Sequence, residues 1–493
     1  MKRFLEEARK LIRINSVSAN GNEEISNYVA TLMQDRGLKT HVQHVTHSHE
    51  AISQRQFNVI GILGDPLVDR KLKKGLLLNT HLDTVSPGIL ENWTETEKDP
   101  FSATLKDGKI FGLGTADVKL DFLCKLYAVE KFREKKLKHP IYLVGTCAEE
   151  IGMLGVKYLI KSLALNPKFV LVGEPSELKV VYAHKCLNLY RISIGYQLIA
   201  RDVRAFNRQV DLYSTGKAAH SSYPHLGTNA ILESFAFLQK ASDEGFEMRF
   251  TQFSGGDTVN KVPDHARCQF FLTSHQFEDF KRFFRDTLKS EGKENHFRME
   301  LGGVVESGVR FLPDPLYPCL VEIVAMIQSL SRELMIQKDA SYDPSFSTVN
   351  FGQMKQKLGG LDLHFDLRLL PEVSPKEIET RIKEQVQGIT SKYPNLNVSV
   401  VLERMNPGLN MSLDDEWVGI CRDAMNTVGI PPHFSKKATS TEAAQYFAAG
   451  YPAVVFGAGR SQGNSHSPNE HNILEQMEKS IAFYEEVIQR VCL

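Results

Sequence analysis

The 493-residue sequence lacks the features that mark several large classes of protein. Its seven cysteines are scattered without a C-x-x-C pair, which argues against a disulfide framework or a structural zinc knuckle and favours a reducing compartment, the cytoplasm. Basic and acidic residues number 59 each, so no overall positive charge draws the chain to nucleic acid or an anionic membrane. No run approaches the roughly 20 apolar residues of a membrane span. The first 14 residues form an amphipathic helical pattern, not the continuous apolar stretch of a signal peptide.

Nucleotide-binding motifs are missing as well. The "GLG" at 112–114 has no third glycine, and the acidic residue after it comes too early for a dinucleotide fingerprint. No phosphate-binding G-x-x-x-x-G-K-[ST] loop occurs in the chain. With 42% hydrophobic residues, the chain is long enough for two or more globular domains. Together these features favour a small-molecule partner.

Apolar runs alternate with helical patterns at both ends of the chain. This alternation predicts an α/β fold with strands that are buried on both faces. Between about residues 187 and 400 the pattern changes to alternating strands and amphipathic helices, which predicts an inserted α+β domain. The expected organisation is a first catalytic segment at 1–186, the insertion at 187–400 and a second catalytic segment at 401–493. Within the insertion, 255–284 and 358–382 both run strand then helix, so a duplication is a possible interpretation.

Four of the apolar runs end in side chains that can bind a metal ion. Ligand sites in open α/β sheets lie at the carboxyl ends of strands, so these side chains are expected to converge. A further acidic residue, Asp117, follows the glycine-rich loop and joins them. The candidates after the four runs are His81 with Asp83, Glu149 with Glu150, Glu174, and His466 with Glu470.

Two histidines with several carboxylates form the mixed nitrogen and oxygen set that suits zinc or cobalt. A shared aspartate can hold two such ions about 3.5–4 Å apart. A bound cation would also offset the repulsion between Glu149 and Glu150, one of which could bind metal while the other takes a proton from water. Each motif alone has an ordinary explanation, such as a helix start for the two glutamates. Their joint occurrence at strand ends favours a metal site.

The order H-x-D, G-x-G-x-x-D-x-K, E-E-x-G, G-E-P-[ST] and H-x-x-N-E resembles the dinuclear zinc amidohydrolase and peptidase family. That family includes acetylornithine deacetylase, succinyl-diaminopimelate desuccinylase, aminoacylase and carnosine-type dipeptidases. The resemblance covers nearly the whole chain and implies a zinc-peptidase-like catalytic domain, with a central mixed sheet flanked by helices, interrupted by an inserted lid domain.

The resemblance also implies a role for each ligand. His81 and Glu174 would bind one zinc ion. Glu150 and His466 would bind the second ion. Asp117 would bridge the two.

Two further carboxylates near these ligands receive roles from the same resemblance. Asp83 would orient His81, and Glu149 would be the general base and then the general acid.

Three residues of the insertion match lid motifs of the family. "GKAAHSSYPHLGTNAI" implies that His220 stabilises the oxyanion, and "FDLRLLPE" implies that Arg368 binds the substrate carboxylate. The lid asparagine is Asn260 in "GGDTVNKVP" or, alternatively, Asn229.

The sequence departs from the family pattern at three places. The strand "HARCQFFLTS" has no arginine where a single lid would carry one, so the lid is expected to be enlarged and to act within a monomer; a single lid would instead imply a homodimer. Leu120 and Cys186 replace glycines that the family usually has, which puts the local backbone geometry in doubt and not the ligands.

The expected activity is hydrolysis of an amide bond next to a free carboxylate, in an N-acyl amino acid or a small peptide. The cofactors are expected to be two divalent ions, zinc with cobalt as the alternative. The motifs "GLGTAD" and "STEAAQYF" lean toward a deacetylase, whereas the large lid leans toward a dipeptidase or carboxypeptidase. The alternative from another class is a noncatalytic relative that binds a small molecule.

Overall fold

The computed structural model describes residues 2–47, 52–68, 71–72, 74–162, 165–200, 205–305 and 308–493. The chain forms two compact units. The split unit consists of Met1–His184 and Asn406–Leu493, and the inserted unit consists of Lys185–Met405.

The first segment of the split unit alternates strands and helices. Its strands are β1 (Lys39–Val45), β2 (Gln56–Leu63), β3 (Leu67–Val68), β4 (Lys71–Leu72), β5 (Gly75–His81), β6 (Thr104–Lys106), β7 (Lys109–Phe111), β8 (Ile141–Thr146), β9 (Pro167–Gly173) and β10 (Val180–His184). Its helices are α1 (Lys2–Arg13), α2 (Glu23–Asp35), α3 (Lys119–Glu130) and α4 (Leu154–Ser162).

The inserted unit follows β10 directly. Its strands are β11 (Leu187–Gly195), β12 (Ile199–Ala200), β13 (Arg208–Thr215), β14 (Arg249–Gly255), β15 (His265–Leu272), β16 (Phe297–Val304), β17 (Arg310–Phe311), β18 (Thr348–Lys357), β19 (Gly360–Arg368) and β20 (Asn397–Asn406). Its helices are α5 (Ala230–Asp243), α6 (Phe277–Glu291), α7 (Leu316–Leu334) and α8 (Pro375–Thr390).

The second segment of the split unit completes the chain. Its strands are β21 (Leu409–Asn410), β22 (Phe434–Lys437), β23 (Ala453–Phe456) and β24 (His471–Ile473). Its helices are α9 (Glu416–Thr427), α10 (Ala443–Ala448) and α11 (Leu474–Cys492).

The split unit is built on a mixed sheet in the order β1-β2-β8-β5-β9-β23-β10-β21, with β22 added beside β10. Its centre is parallel, because β5 pairs in parallel with both β8 and β9, and β23 pairs in parallel with β9. Every residue of β5 and β8 is buried, as expected for strands that helices cover on both faces. The predicted α/β fold with a central mixed sheet flanked by helices is therefore confirmed.

A tryptophan of the second segment anchors that segment to the sheet of the first. The buried Trp417 ring stacks on Phe169 at a centroid distance of 4.8 Å, and its indole N–H donates to the Val170 carbonyl at 2.9 Å. A buried indole with a satisfied N–H contributes a large apolar area at no cost in unpaired polar groups. This contact holds the two distant parts of the chain in one core.

The inserted unit contains a sheet in the order β16-β13-β15-β14-β18-β19-β11-β20. The elements β13, α5, β14, β15, α6 and β16 follow a β-α-β-β-α-β order, and β11, α7, β18, β19, α8 and β20 follow the same order around them. The two sets meet at β14 and β18 through the pairs Ser254↔Lys355 and Gly255↔Met354. The last strand, β20, continues beyond residue 400 to Asn406, so the unit ends later than the change in sequence pattern indicates.

Among the described residues, no helix is long and apolar enough to cross a bilayer. The seven cysteines are buried free thiols.

Candidate metal centre

The four central parallel strands bring the predicted ligands to one edge of the sheet. His81 is the last residue of β5 and pairs in register with Thr146, the last residue of β8. Glu149 and Glu150 follow β8, Glu174 follows β9 directly, and His466 lies in the loop after β23. Because these strands are parallel, their carboxyl ends meet at the same edge.

Asp117 lies between the two histidines. Its Oδ1 is 3.2 Å from His81 Nε2, and its Oδ2 is 3.3 Å from His466 Nε2. His466 Nε2 is also 3.0 Å from Glu150 Oε1. One carboxylate with an oxygen toward each histidine has the geometry of a ligand that bridges two ions.

Two overlapping groups of side chains can each surround a cation. The ligand atoms of His81, Glu149 and Glu150 lie within 4.8 Å of one another, and so do those of Asp117, Glu150 and His466. Glu174 belongs to neither of these groups, although the charges of Asp117 and Glu150 both raise its pKa.

The carboxylates of the cluster repel one another, and a bound cation would offset this repulsion. Burial, with the nearby charge of Asp117, raises the pKa of Glu174 to about 7. Burial, Glu150 and Glu174 raise the pKa of Glu149 well above its usual range. Burial favours the neutral ring of His466, yet Glu150 and Asp117 overcome this effect and raise its pKa to about 12. Buried carboxylates beside histidines form a donor set that fits divalent cations such as zinc.

The Asp83 carboxylate joins the ends of β5 and β8. It accepts hydrogen bonds from the Glu149 and Glu150 backbone N–H groups at 3.1 and 3.2 Å, and from the Ser18 hydroxyl at 2.6 Å. The Nδ1 of His81 lies 3.0 Å from the Asp83 carbonyl but 3.6 Å from its carboxylate. The backbone carbonyl is thus the closer partner of the imidazole, and the carboxylate accepts the backbone N–H groups of the two glutamates. The orientation of His81 by Asp83 stays a prediction.

Glu470 holds the loop that carries Asp117. Its Oε1 accepts the backbone N–H groups of Ala116 and Asp117 at 2.9 and 3.0 Å. Burial and the charge of Asp117 raise the pKa of Glu470 to about 8. In the sequence, Glu470 is marked as the last residue of H-x-x-N-E, a pattern that does not specify this contact.

A buried polar layer beneath the ligands was not predicted. Glu442 accepts hydrogen bonds from Asn79 at 2.5 Å and from Thr146 at 2.7 Å, and burial raises its pKa to about 7. The available signal was the single acidic residue of "STEAAQYF", but its partners lie 363 and 296 positions away. Sequence patterns within one segment do not reveal such contacts.

A buried ion pair lies next to Gly173, the residue before Glu174. Lys125 Nζ is 2.8 Å from Asp121 Oδ2 and donates to the Asn79 carbonyl at 2.6 Å. At Gly173, which precedes Glu174, an added Cβ would come within 1.8 Å of the Asp121 carboxylate. Only glycine permits this close approach, so the G-E of G-E-P-[ST] places the strand end directly on the ion pair.

Within the inserted unit, Ser221 connects the predicted lid residues. Its N–H donates to the Asn260 carbonyl at 3.0 Å, and Arg368 Nη2 donates to its hydroxyl at 3.4 Å. His220 is exposed, and its Nδ1 accepts the Ser222 N–H at 3.1 Å. The neutral ring therefore carries its proton on Nε2, where it can be donated.

The other candidate asparagine has a structural role. Asn229 is the N-cap of α5, and its side-chain oxygen accepts the N–H groups of Ile231 and Leu232. Its amide also donates to the Phe351 carbonyl at 2.8 Å. By contrast, Asn260 is exposed.

A mixed sheet that carries histidines and carboxylates at the ends of its parallel strands defines a metal-dependent hydrolase. The model of the family described as Peptidase family M20/M25/M40 matches residues 77–490, and the chain belongs to this family. It is a metallo-amidohydrolase that acts on C–N bonds.

Named relatives and solved structures agree with this membership. The chain is 32% identical to an acetylornithine deacetylase of Proteus mirabilis (strain HI4320) in an alignment of 359 positions that covers 67% of this chain and 82% of the relative. It resembles in fold the aminoacylhistidine dipeptidase from Vibrio alginolyticus, with a TM-score of 0.67 and 16% identity over 99% of this chain and 96% of that one. It also resembles the M20 family metallo-carboxypeptidase Sso-CP2 from Sulfolobus solfataricus, with a TM-score of 0.60 and 18% identity over 99% of both chains.

Proposed function

We propose that this chain uses two zinc ions to hydrolyse the amide bond of an N-acyl amino acid or a small peptide that has a free carboxylate. The observation that carries the proposal is the position of Asp117, with one oxygen toward His81 and the other toward His466. Cobalt is the alternative metal, since the same mixed donor set suits it.

The ligands divide between two ions. His81 and Glu174 would hold one ion, Glu150 and His466 would hold the other, and Asp117, which has one oxygen toward each histidine, would serve both. When bound, the ions polarise the scissile carbonyl and lower the pKa of water at the site.

Glu149 acts as the general base. Its carboxylate takes a proton from the attacking water and then delivers it to the nitrogen of the leaving amine. Burial and the charges of Glu150 and Glu174 raise the pKa of this carboxyl group, a direction that favours holding the proton before its delivery to the amine. The backbone of Glu149 is fixed by its hydrogen bond to Asp83.

The lid residues act on the substrate. The Nε2–H of His220 donates to the developing oxyanion, because Nδ1 is occupied by the Ser222 N–H. Arg368 binds the substrate carboxylate as a bidentate fork. Asn260 is the lid asparagine, since the side chain of Asn229 is committed to the cap of α5 and to Phe351.

The substrate class is tested by a hydrolysis screen. N-acetyl amino acids, N-succinyl amino acids and dipeptides are assayed with zinc or cobalt added, and product amine is quantified. The similarity to an acetylornithine deacetylase supports an acyl amino acid, and the enlarged inserted unit supports a peptide. We expect hydrolysis in at least one of these groups, and substrates whose carboxylate is amidated are expected to be poorer. Absence of hydrolysis in a preparation that contains both ions would instead support the noncatalytic binding relative.

We further propose that the protein acts as a monomer in the cytoplasm. The repeated β-α-β-β-α-β order supports a doubled lid that supplies His220 to the metal site of its own chain. The seven buried free thiols support a reducing compartment.

Complementation tests whether His220 acts within its own chain. A Glu149→Gln chain is mixed with a His220→Ala chain under conditions that allow subunit exchange, and activity is measured. We expect no recovery of activity, together with a monomeric mass by light scattering. Restored activity would show that His220 crosses between subunits and that a dimer is the working form.

A further inference from the structure

Arg368, at the end of β19, is held by a buried acidic partner. Asp366 lies two residues earlier on the same face of the strand, and the side chains of Asp366 and Arg368 are only 3% and 8% exposed. Arg368 Nε donates to Asp366 Oδ2 at 3.1 Å. A long flexible side chain is thereby fixed at its inner nitrogen.

The rest of the guanidinium remains available for a ligand. Its Nη2 donates to the Ser221 hydroxyl at 3.4 Å, a long contact for such a bond. The guanidinium has five N–H donors in a planar fork, so most of its terminal donors can still engage a carboxylate. A guanidinium that is held at Nε presents its two terminal nitrogens in one orientation.

The surroundings of this pair carry unsatisfied polar atoms. Within the described residues, Asp366 Oδ1 and Asn350 Oδ1 are buried without a hydrogen-bond partner, and the two residues face each other in the β18–β19 register. The amide of Asn350 instead donates to the carbonyls of Val259 and Lys261, on either side of Asn260. Burial raises the pKa of the Asp366 carboxyl group, while Arg368, Ser221 and Asn350 favour its charged form, so the guanidinium is the principal partner of this carboxylate.

We infer that Asp366 is a positioning residue that fixes the guanidinium of Arg368 for the carboxylate of the substrate. This inference rests on the proposed function, because it requires Arg368 to bind that carboxylate. Asp366 touches Arg368 and not the substrate. Asp366 therefore affects only how strongly the enzyme prefers a substrate with a free carboxylate over a substrate with an uncharged amide in the same position.

The test compares two substrates that differ only in this group. An N-acetyl amino acid and its carboxamide are assayed with the wild type, Asp366→Asn, Arg368→Ala and the double variant, and the ratio of the two kcat/KM values is the readout. We expect Asp366→Asn to lower the ratio about tenfold or more, through the carboxylate substrate alone. In the Arg368→Ala background, Asp366→Asn is expected to have no further effect.

Asp362→Asn is the matched control. It is the same substitution on the same strand, but its carboxylate pairs with Lys357, so the substrate ratio is expected to stay unchanged. If the Asn variant of Asp366 does not fold, Asp366→Glu keeps the charge but displaces the carboxylate by one methylene. Its ratio is then expected to fall in the same direction.

Two outcomes would overturn the inference and are distinguishable. If Arg368→Ala lowers the ratio but neither variant of Asp366 does, or if both substrates slow equally, Asp366 has no positioning role and the proposed function survives. If Arg368→Ala itself leaves the ratio unchanged, the proposed carboxylate site fails together with the inference.

Discussion

Replacement of Glu149 by Gln is expected to lower kcat by about 10²–10⁴-fold, the contribution of a positioned general base. The amide keeps the size of the side chain but cannot take a proton from water. The backbone hydrogen bond from Glu149 to Asp83 does not involve the side chain, so the fold around the site is expected to persist. Steady-state kinetics with the best substrate of the hydrolysis screen measures the effect, and plasma emission measures the metal content.

Glu177→Gln is a suitable control for this variant. Glu177 is an exposed glutamate of the same unit and lies three residues after Glu174. Its replacement is expected to leave kcat unchanged. If Glu149→Gln keeps more than roughly a tenth of the wild-type kcat while binding metal normally, another group is the base.

Most of the candidate metal cluster was accessible to sequence reasoning, because every candidate ligand except Asp117 follows a strongly apolar run. Strands such as β5 and β8 are buried on every residue, so a histidine or glutamate at the end of one stands out. Parallel pairing then brings these ends to one edge of the sheet, although the strand order β8-β5-β9-β23 differs from the order of the strands in the sequence. The existence of the cluster follows from a local pattern, together with one rule about sheets.

The supporting contacts were not accessible in this way. Glu442 accepts hydrogen bonds from Asn79 and Thr146, which lie far from it in the sequence. No local sequence pattern predicts such contacts. The hydrogen bonds of Asp83 depend on how the chain turns after β8, which the H-x-D spacing does not specify. These contacts are products of tertiary packing, which determines where an already recognised side chain finds its partner.

The inserted unit shows the same limit. The matching strand-helix segments indicated a repeat, but the sheet order that joins the two sets at β14 and β18 follows from tertiary pairing. Asp366 and Arg368 share a face because of their i, i+2 spacing, which the sequence does show. The burial of Asp366 and its hydrogen bond with Arg368 are visible only in the folded unit.

Replacement of Asp117 by Asn is expected to reduce the metal content from about two ions per chain to one or fewer. The amide offers one neutral oxygen where the carboxylate offers two charged ones, so it cannot bridge the sides that His81 and His466 occupy. Because metal binds the native state, its loss also removes the associated stabilisation, which is about 2.7 kcal/mol when free metal exceeds its Kd a hundredfold. Plasma emission gives the metal content, and thermal unfolding with and without added zinc gives the stabilisation.

The comparison with and without zinc separates loss of metal from damage to the fold. We expect zinc to raise the Tm of the wild type and of Asp65→Asn, a control at an exposed aspartate whose hydrogen bond to the Leu67 N–H an asparagine can keep. Zinc is expected to raise the Tm of Asp117→Asn much less. The apo forms of all three proteins are expected to unfold within a few degrees of one another, since the substitution keeps the shape of the side chain. A variant that binds two ions and gains the full zinc-dependent increase in Tm would show that Asp117 does not bridge them.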